Sequence, residues 1–176
     1  MKTLNLVVAV LTLIATCSCS SVKSTTQQGV ELNGYRSFTI ADNGKDYLPQ
    51  LSPVQKSQIE NAIAKEIDAI SPDNLGVTGT DILVNYFVVV DSKQDLETYT
   101  NYYGRRWRNQ IVQVDVRDYK EGTLIIDFID AKTKQVVWNG STTSTVTNNS
   151  IELEKKINNA VSSIFEQFKK DRTFKN

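Results

Sequence analysis

The spacing of hydrophobic residues changes several times along this chain, and each change predicts an element. Leu4 to Ala15 is a mostly apolar run behind one basic residue, Lys2. It is shorter than the roughly 20 residues that span a bilayer and has the form of an export signal, ending at residue 19. Ser20 to Gly34 is rich in Ser, Thr, Gln and Gly without apolar period, which predicts a flexible tether over residues 20–34. Tyr35 to Ile40 alternates and predicts the first strand. Beyond a loop with Asn43-Gly44 and Pro49, Ile59, Ile63, Ile67 and Ile70 recur at helical spacing. Ser52 caps that helix, Pro53 takes its first position and Gln55 completes a capping box, while Ser71-Pro72 ends it.

The second half returns to period two. Ile82 to Val90 has a single polar member, Asn85, so it reads as a central strand with one buried, hydrogen-bonded amide. Ile111 to Val116 alternates, and Tyr119-Lys120-Glu121-Gly122 reads as a turn into the next strand. Leu124, Ile126 and Phe128 continue it, Asp130 to Lys134 supplies a tight turn, and Val136-Val137-Trp138 restarts the extended run. Thr142 to Thr147 prolongs that strand with polar β-formers. Asn149 then caps a helix with Glu152 three residues on and an apolar stripe of Ile157, Ala160, Val161, Ile164, Phe165 and Phe168. These elements predict a single α+β domain over residues 35–170, in the order β-α-β-β-β-β-α, followed by a tail at 171–176. The sheet is antiparallel-rich, with about five strands and two helices packed on one face.

Composition narrows the chemistry. With 40% hydrophobic residues in 176, the chain can bury a sizeable core, and a formal charge of zero gives no footprint of a polyanion binder. There is no histidine, so serine–histidine and cysteine–histidine catalysis and histidine metal sites are excluded. No metal site or cofactor is expected.

Both cysteines, Cys17 and Cys19, stand at the end of the leader. The Ala15-Thr16-Cys17-Ser18-Cys19 junction looks like a bacterial lipobox, in which signal cleavage exposes a cysteine that is then acylated. Cys19, preceded by the small Ser18, is the favoured site. Cys17, with Ile14 three places upstream, is the alternative, and an ordinary secretory signal is the plainer reading. Acyl chains contribute about 0.8 kcal/mol per buried CH₂, so several of them would anchor the protein firmly. No acidic run follows either cysteine, which favours a cell-envelope protein anchored in the outer membrane and facing the periplasm.

Two groups of residues are candidates for more than structure. Tyr99, Tyr102, Tyr103, Arg105, Arg106, Trp107 and Arg108 crowd around Gly104. The plain reading is a long connection whose aromatics cover a sheet edge while its arginines stay solvated. The functional reading is a binding surface, centred on Tyr102, Tyr103, Arg105, Arg106 and Trp107, for an envelope protein, a lipid head group or a glycan. Nucleic acid is set aside as a partner, because an exported, charge-balanced chain meets little of it. The second group is Asp115, Asp127 and Asp130, placed by the pattern on neighbouring strands. Asp127 shares its face with Ile125 and Ile129 and needs a partner, either Arg117 or a backbone donor. Paired carboxylates also serve glycoside hydrolysis, so the rival function is a carboxylate-dependent enzyme acting on cell-wall or surface glycans. The favoured function is a non-catalytic binding or scaffolding module on a lipid anchor.

Tyr35-x-x-Phe38, Asp81-Ile82-Leu83-Val84-x-Tyr86, Gly122-Thr123-Leu124-x-Ile126-Asp127, Asp130-Ala131 and Val137-Trp138-x-Gly140 stand in one order along the chain. Their pattern resembles the bacterial lipoprotein family called "domain of unknown function 4136" over most of residues 33–170. The resemblance implies an envelope lipoprotein of mixed α and β structure. It implies no activity, cofactor or catalytic residue.

Overall fold

A computed structural model describes residues 21–41, 51–71, 79–100 and 112–174. Its elements run β1 (Lys23–Thr26), a 3-10 turn (Leu32–Gly34), β2 (Phe38–Ile40), α1 (Pro53–Ile70), β3 (Ile82–Thr100), β4 (Val112–Asp130), β5 (Val136–Thr145) and α2 (Ser150–Phe174). The helices begin where their sequence signals stand. Gln55 N donates to Ser52 Oγ and Ser52 N to Gln55 Oε1, closing the capping box of α1. The Asn149 side chain accepts from Ile151 N and Glu152 N at 3.0 and 3.1 Å at the start of α2.

The five strands form one sheet in the order β1-β5-β4-β3-β2. All neighbours are antiparallel except β2 and β3, which run parallel and are joined through α1, since a parallel pair needs a crossover. Both edge strands are short, which limits the unpaired backbone offered to other chains. The α+β class, the five-stranded sheet and the two helices on one face agree with the hydrophobic pattern.

Three boundaries differ from that pattern. The turn read at Tyr119–Gly122 does not exist: β4 runs unbroken from Val112 to Asp130 and pairs with β3 from Ile82↔Asp130 to Thr100↔Val112. Its polar middle lies opposite equally polar residues of β3, Lys93↔Tyr119 and Asp91↔Glu121, so polarity there marks exposure on a ribbon rather than a reversal. The tether read over residues 20–34 is partly ordered structure. Lys23–Thr26 pairs with Trp138–Ser141 of β5, and Leu32 is buried in the core. The tail read at 171–176 contains the last turn of α2, and Asp171 and Arg172 tie that turn to the sheet and to residue 35. The order is therefore β-β-α-β-β-β-α, with β1 recruited from the supposed tether and two expected strands fused into β4.

One face of the sheet carries the core. Val84, Ile126, Phe128 and Trp138 are fully buried beneath Ile63 of α1 and Val161, Ile164, Phe165 and Phe168 of α2. The aromatic rings gather at one end. Phe128 lies 4.3 Å from Phe168, 5.1 Å from Trp138 and 5.8 Å from Phe38, centroid to centroid, mostly edge-on or tilted. Gly140 makes this packing possible, because a Cβ there would overlap the Trp138 ring and stand 2.8 Å from Ile164 Cγ2.

Candidate functional site

The motif residues converge on the aromatic end, where their polar groups are engaged within the fold. Asp81 accepts from Arg36 N at 3.0 Å and Ser37 N at 3.2 Å, and Ser37 Oγ in turn accepts from Asp81 N. These backbone donors, with Arg36 the strongest, hold the Asp81 carboxyl below the usual carboxylate range. Asp130 folds back on its own turn, accepting from Lys132 N and Thr133 N, and takes the Tyr35 hydroxyl at 2.9 Å. The Thr133 amide leads in lowering the Asp130 carboxyl. Burial first, then the Asp130 hydrogen bond and charge, push the Tyr35 phenol up to about 12.

Asp171 is the fastener of this end. Its Oδ2 accepts from Trp138 Nε1 at 2.9 Å and from Ser24 Oγ at 2.7 Å, while Oδ1 accepts from Gln167. One carboxylate thus joins α2 to β5 and to edge strand β1. The adjacent Arg172 donates to the Tyr35 carbonyl at 2.7 Å and stands 6.0 Å from the Phe38 ring centroid. The polar partners of Trp138 and Tyr35 are structural, which accounts for the motif without a ligand.

The candidate carboxylates do not form a pair across a cleft. Asp115, Asp127 and Asp130 lie on one strand, β4, rather than on neighbouring strands. Twelve residues separate Asp115 from Asp127, about 40 Å at the rise of an extended strand, against the roughly 5–9.5 Å that glycoside hydrolysis requires. Asp127 lies on the outer face of the sheet in register with Asn85 of β3 and Asn139 of β5. The donor to Asp127 is the Asn139 side-chain amide. Arg117, one of the partners expected from sequence, sits ten residues back along β4, opposite Asp95. Asn85 is buried, and its side-chain oxygen accepts from Tyr86 N at 2.8 Å. This amide–carboxylate row crosses the middle of the outer face, with half-buried Leu83, Phe87, Ile125 and Ile129 beside it. Among the described residues, no group of three Asp, Glu, His or Cys side chains is arranged to hold a metal ion.

The opposite end of the domain is built differently. β5 pairs with β4 only as far as Glu121↔Thr145, yet β3 and β4 continue together from Ser92↔Lys120 to Thr100↔Val112. That leaves a two-stranded ribbon projecting about 30 Å beyond the sheet. The Lys93–Glu121 ion pair, at 2.8 Å, stands at its base. Tyr102, Tyr103, Arg105, Arg106 and Trp107 belong to the connection between the two strand ends and lie outside the described residues, as do Cys17 and Cys19. At the ribbon's foot the helices and sheet part around a cleft of 240 Å³, floored by Val88, Val90 and Leu124 and walled by Leu51, Ile157 and Ala160. The cleft was not foreseen from the sequence. Its one signal there is the small Ala160 within a stripe of Ile157, Val161 and Ile164.

The family model described as "Domain of unknown function (DUF4136)" matches residues 22–168. The chain belongs to the DUF4136 family. That span includes β1, in keeping with the ordering of residues first read as a tether. No curated protein matches the chain in sequence. Among solved structures, a PDZ domain protein from Parabacteroides distasonis is similar with a TM-score of 0.53 at 14% identity, over 84% of this chain and 35% of that one. The chain thus spans about a third of that protein, and the likeness shows the fold alone. A PelC dodecamer from Paraburkholderia phytofirmans aligns at a TM-score of 0.46 and 13% identity, over 81% of this chain and 94% of that one. A second PelC dodecamer from the same organism, carrying a leucine-to-methionine substitution, aligns at 0.41 and 16%, over 82% and 92%.

Proposed function

We propose that this DUF4136 protein is a non-catalytic binding module, lipid-anchored through Cys19 or Cys17 in the cell envelope, which docks an envelope protein through its β3–β4 ribbon. The observation that carries the reading is the ribbon itself. A two-stranded hairpin is marginal in water without a third strand or a packed face, so a long one extending past its sheet is most useful when a partner completes it. Its strands offer backbone for strand addition, and the connection between them concentrates Tyr, Arg and Trp, the residues that anchor protein interfaces. The carboxylate geometry supports the same reading, since the rival glycan-cleaving enzyme would need a pair that β4 holds far apart.

Replacing Arg105, Arg106 and Trp107 together with Ala tests the docking. Crosslinking in intact cells should lose the adduct formed by the wild type while the melting temperature stays the same; retention of the adduct would refute the ribbon as the docking element. The anchor is tested separately by fractionation, in which Cys17→Ser/Cys19→Ser should leave the membrane fraction.

A further inference from the structure

The cleft at the foot of the ribbon is a break in the core lined mainly by apolar side chains. Core packing ordinarily leaves few voids larger than a water molecule, and apolar cavities stay dry and take up apolar guests. Here the opening measures 240 Å³ and faces half-buried Val88, Val90, Ile157 and Ala160 rather than a polar wall. A cavity of about 150 Å³ holds a benzene ring, so by proportion this one holds roughly ten carbon atoms.

The polar groups lie at one side of the opening. Lys120 and Lys156 stand at the rim beside Ser144 and Thr145. The Lys156 ammonium donates to the Thr145 carbonyl and hydroxyl at 3.0 and 3.1 Å and pairs with Glu152 at 3.3 Å, which offsets its charge. Lys120 is exposed and brings a second positive charge to the rim. An apolar trough with an exposed lysine at its mouth, outside the Lys156–Glu152 pair, matches an amphiphile of one aliphatic chain and one negative charge.

We infer that this cleft is a binding site for a medium-chain fatty carboxylate, its chain lying between Val88, Val90, Leu124 and Ala160 and its head group on Lys120. Gly122 leaves the floor open, because a Cβ there would approach Val146 Cγ2 to 3.2 Å and narrow the trough. The inference is independent of the ribbon's partner and of the lipid anchor.

Isothermal titration calorimetry of the full-length protein with decanoate tests it, with decyltrimethylammonium as the chain of equal length and opposite charge. Saturable binding of one decanoate, at least tenfold tighter than the cationic chain, is the expected result. Ala160→Phe should abolish that binding with the thermal unfolding unchanged, and Lys120→Glu, at an exposed position, should weaken it at least tenfold. Equal affinity for the two chains would overturn the assignment of a carboxylate. Decanoate binding that survives in a folded Ala160→Phe protein, or that is indifferent to Lys120→Glu, would overturn the site.

Discussion

At the Trp138 end of the domain the helix layer and the sheet interlock, whereas at the Val90 end they part. The closed end stacks Phe38, Phe128, Trp138, Phe165 and Phe168 and ties β1 and the last turn of α2 together through Asp171, Ser24 and Arg172. Most of the residues that mark the family, Tyr35, Phe38, Asp81, Asp130, Trp138 and Gly140 among them, are engaged there. The open end has half-buried aliphatic residues, two lysines and a ribbon with no third strand among the described residues. The recognisable pattern of this family therefore describes how the sandwich is locked. The cleft lies at the other end, where the motif contributes only Gly122 and Leu124 to its lining.

Substitutions at the two ends should separate in size. Phe128→Ala removes the ring at the centre of the aromatic stack and should cost about 3–5 kcal/mol in urea unfolding, a large share of the stability of a small domain. Gly140→Ala forces a methyl group against Trp138 and Ile164 and should cost about 1–3 kcal/mol by the same measurement. Asp171→Ala strips acceptors from Trp138, Ser24 and Gln167; a loss of about 1–3 kcal/mol is expected, together with faster amide exchange in β1. Val90→Thr, at a half-buried position in the floor of the cleft, should stay within about 0.5 kcal/mol of wild type. An open-end change as costly as Phe128→Ala would erase the contrast.

Acid and alkali should separate the two ends further. The lowered carboxyls of Asp81 and Asp130 are both at the closed end. A carboxylate with a depressed folded pKa stabilises the fold above its unfolded value near 3.9, and that contribution is lost as pH falls through the folded value. Stability should therefore drop below about pH 4, and Asp130→Asn should flatten that drop. Tyr35 behaves in the opposite sense. Its raised value keeps its contribution intact below about 10, and the contribution fades as pH rises from there towards 12. Tyr35→Phe should remove this alkaline part of the profile while leaving the acid part mostly in place.

How much of this was legible in the sequence differs by element. Both helices were, because Ser52 and Asn149 cap them and their apolar stripes recur at helical spacing. The β4–β5 hairpin was legible too, since Leu124, Ile126 and Phe128 alternate and Asp130 forms a recognisable turn. β1 was not, because its inward Ser24 meets a carboxylate rather than the apolar core and leaves no hydrophobic period to read. The continuity of β4 was hidden for a related reason. A ribbon that no described element covers carries polar residues such as Asp118, Tyr119 and Lys120 in mid-strand, and in sequence they imitate a turn. The same misreading put Asp115 and Asp127 on adjacent strands and created an apparent carboxylate pair. The cleft was illegible because five elements, from α1 to α2, bound it, and only their packing shows where side chains fall short of one another.

The most direct test of the contrast places one photoreactive residue at Gln94, exposed on the ribbon, and in a separate strain one at Lys132, exposed in the turn at the closed end. Irradiation of intact cells should give a discrete protein adduct from the Gln94 position and none from the Lys132 position. Adducts from Lys132 alone, or equally from both, would contradict the assignment of binding to the open end.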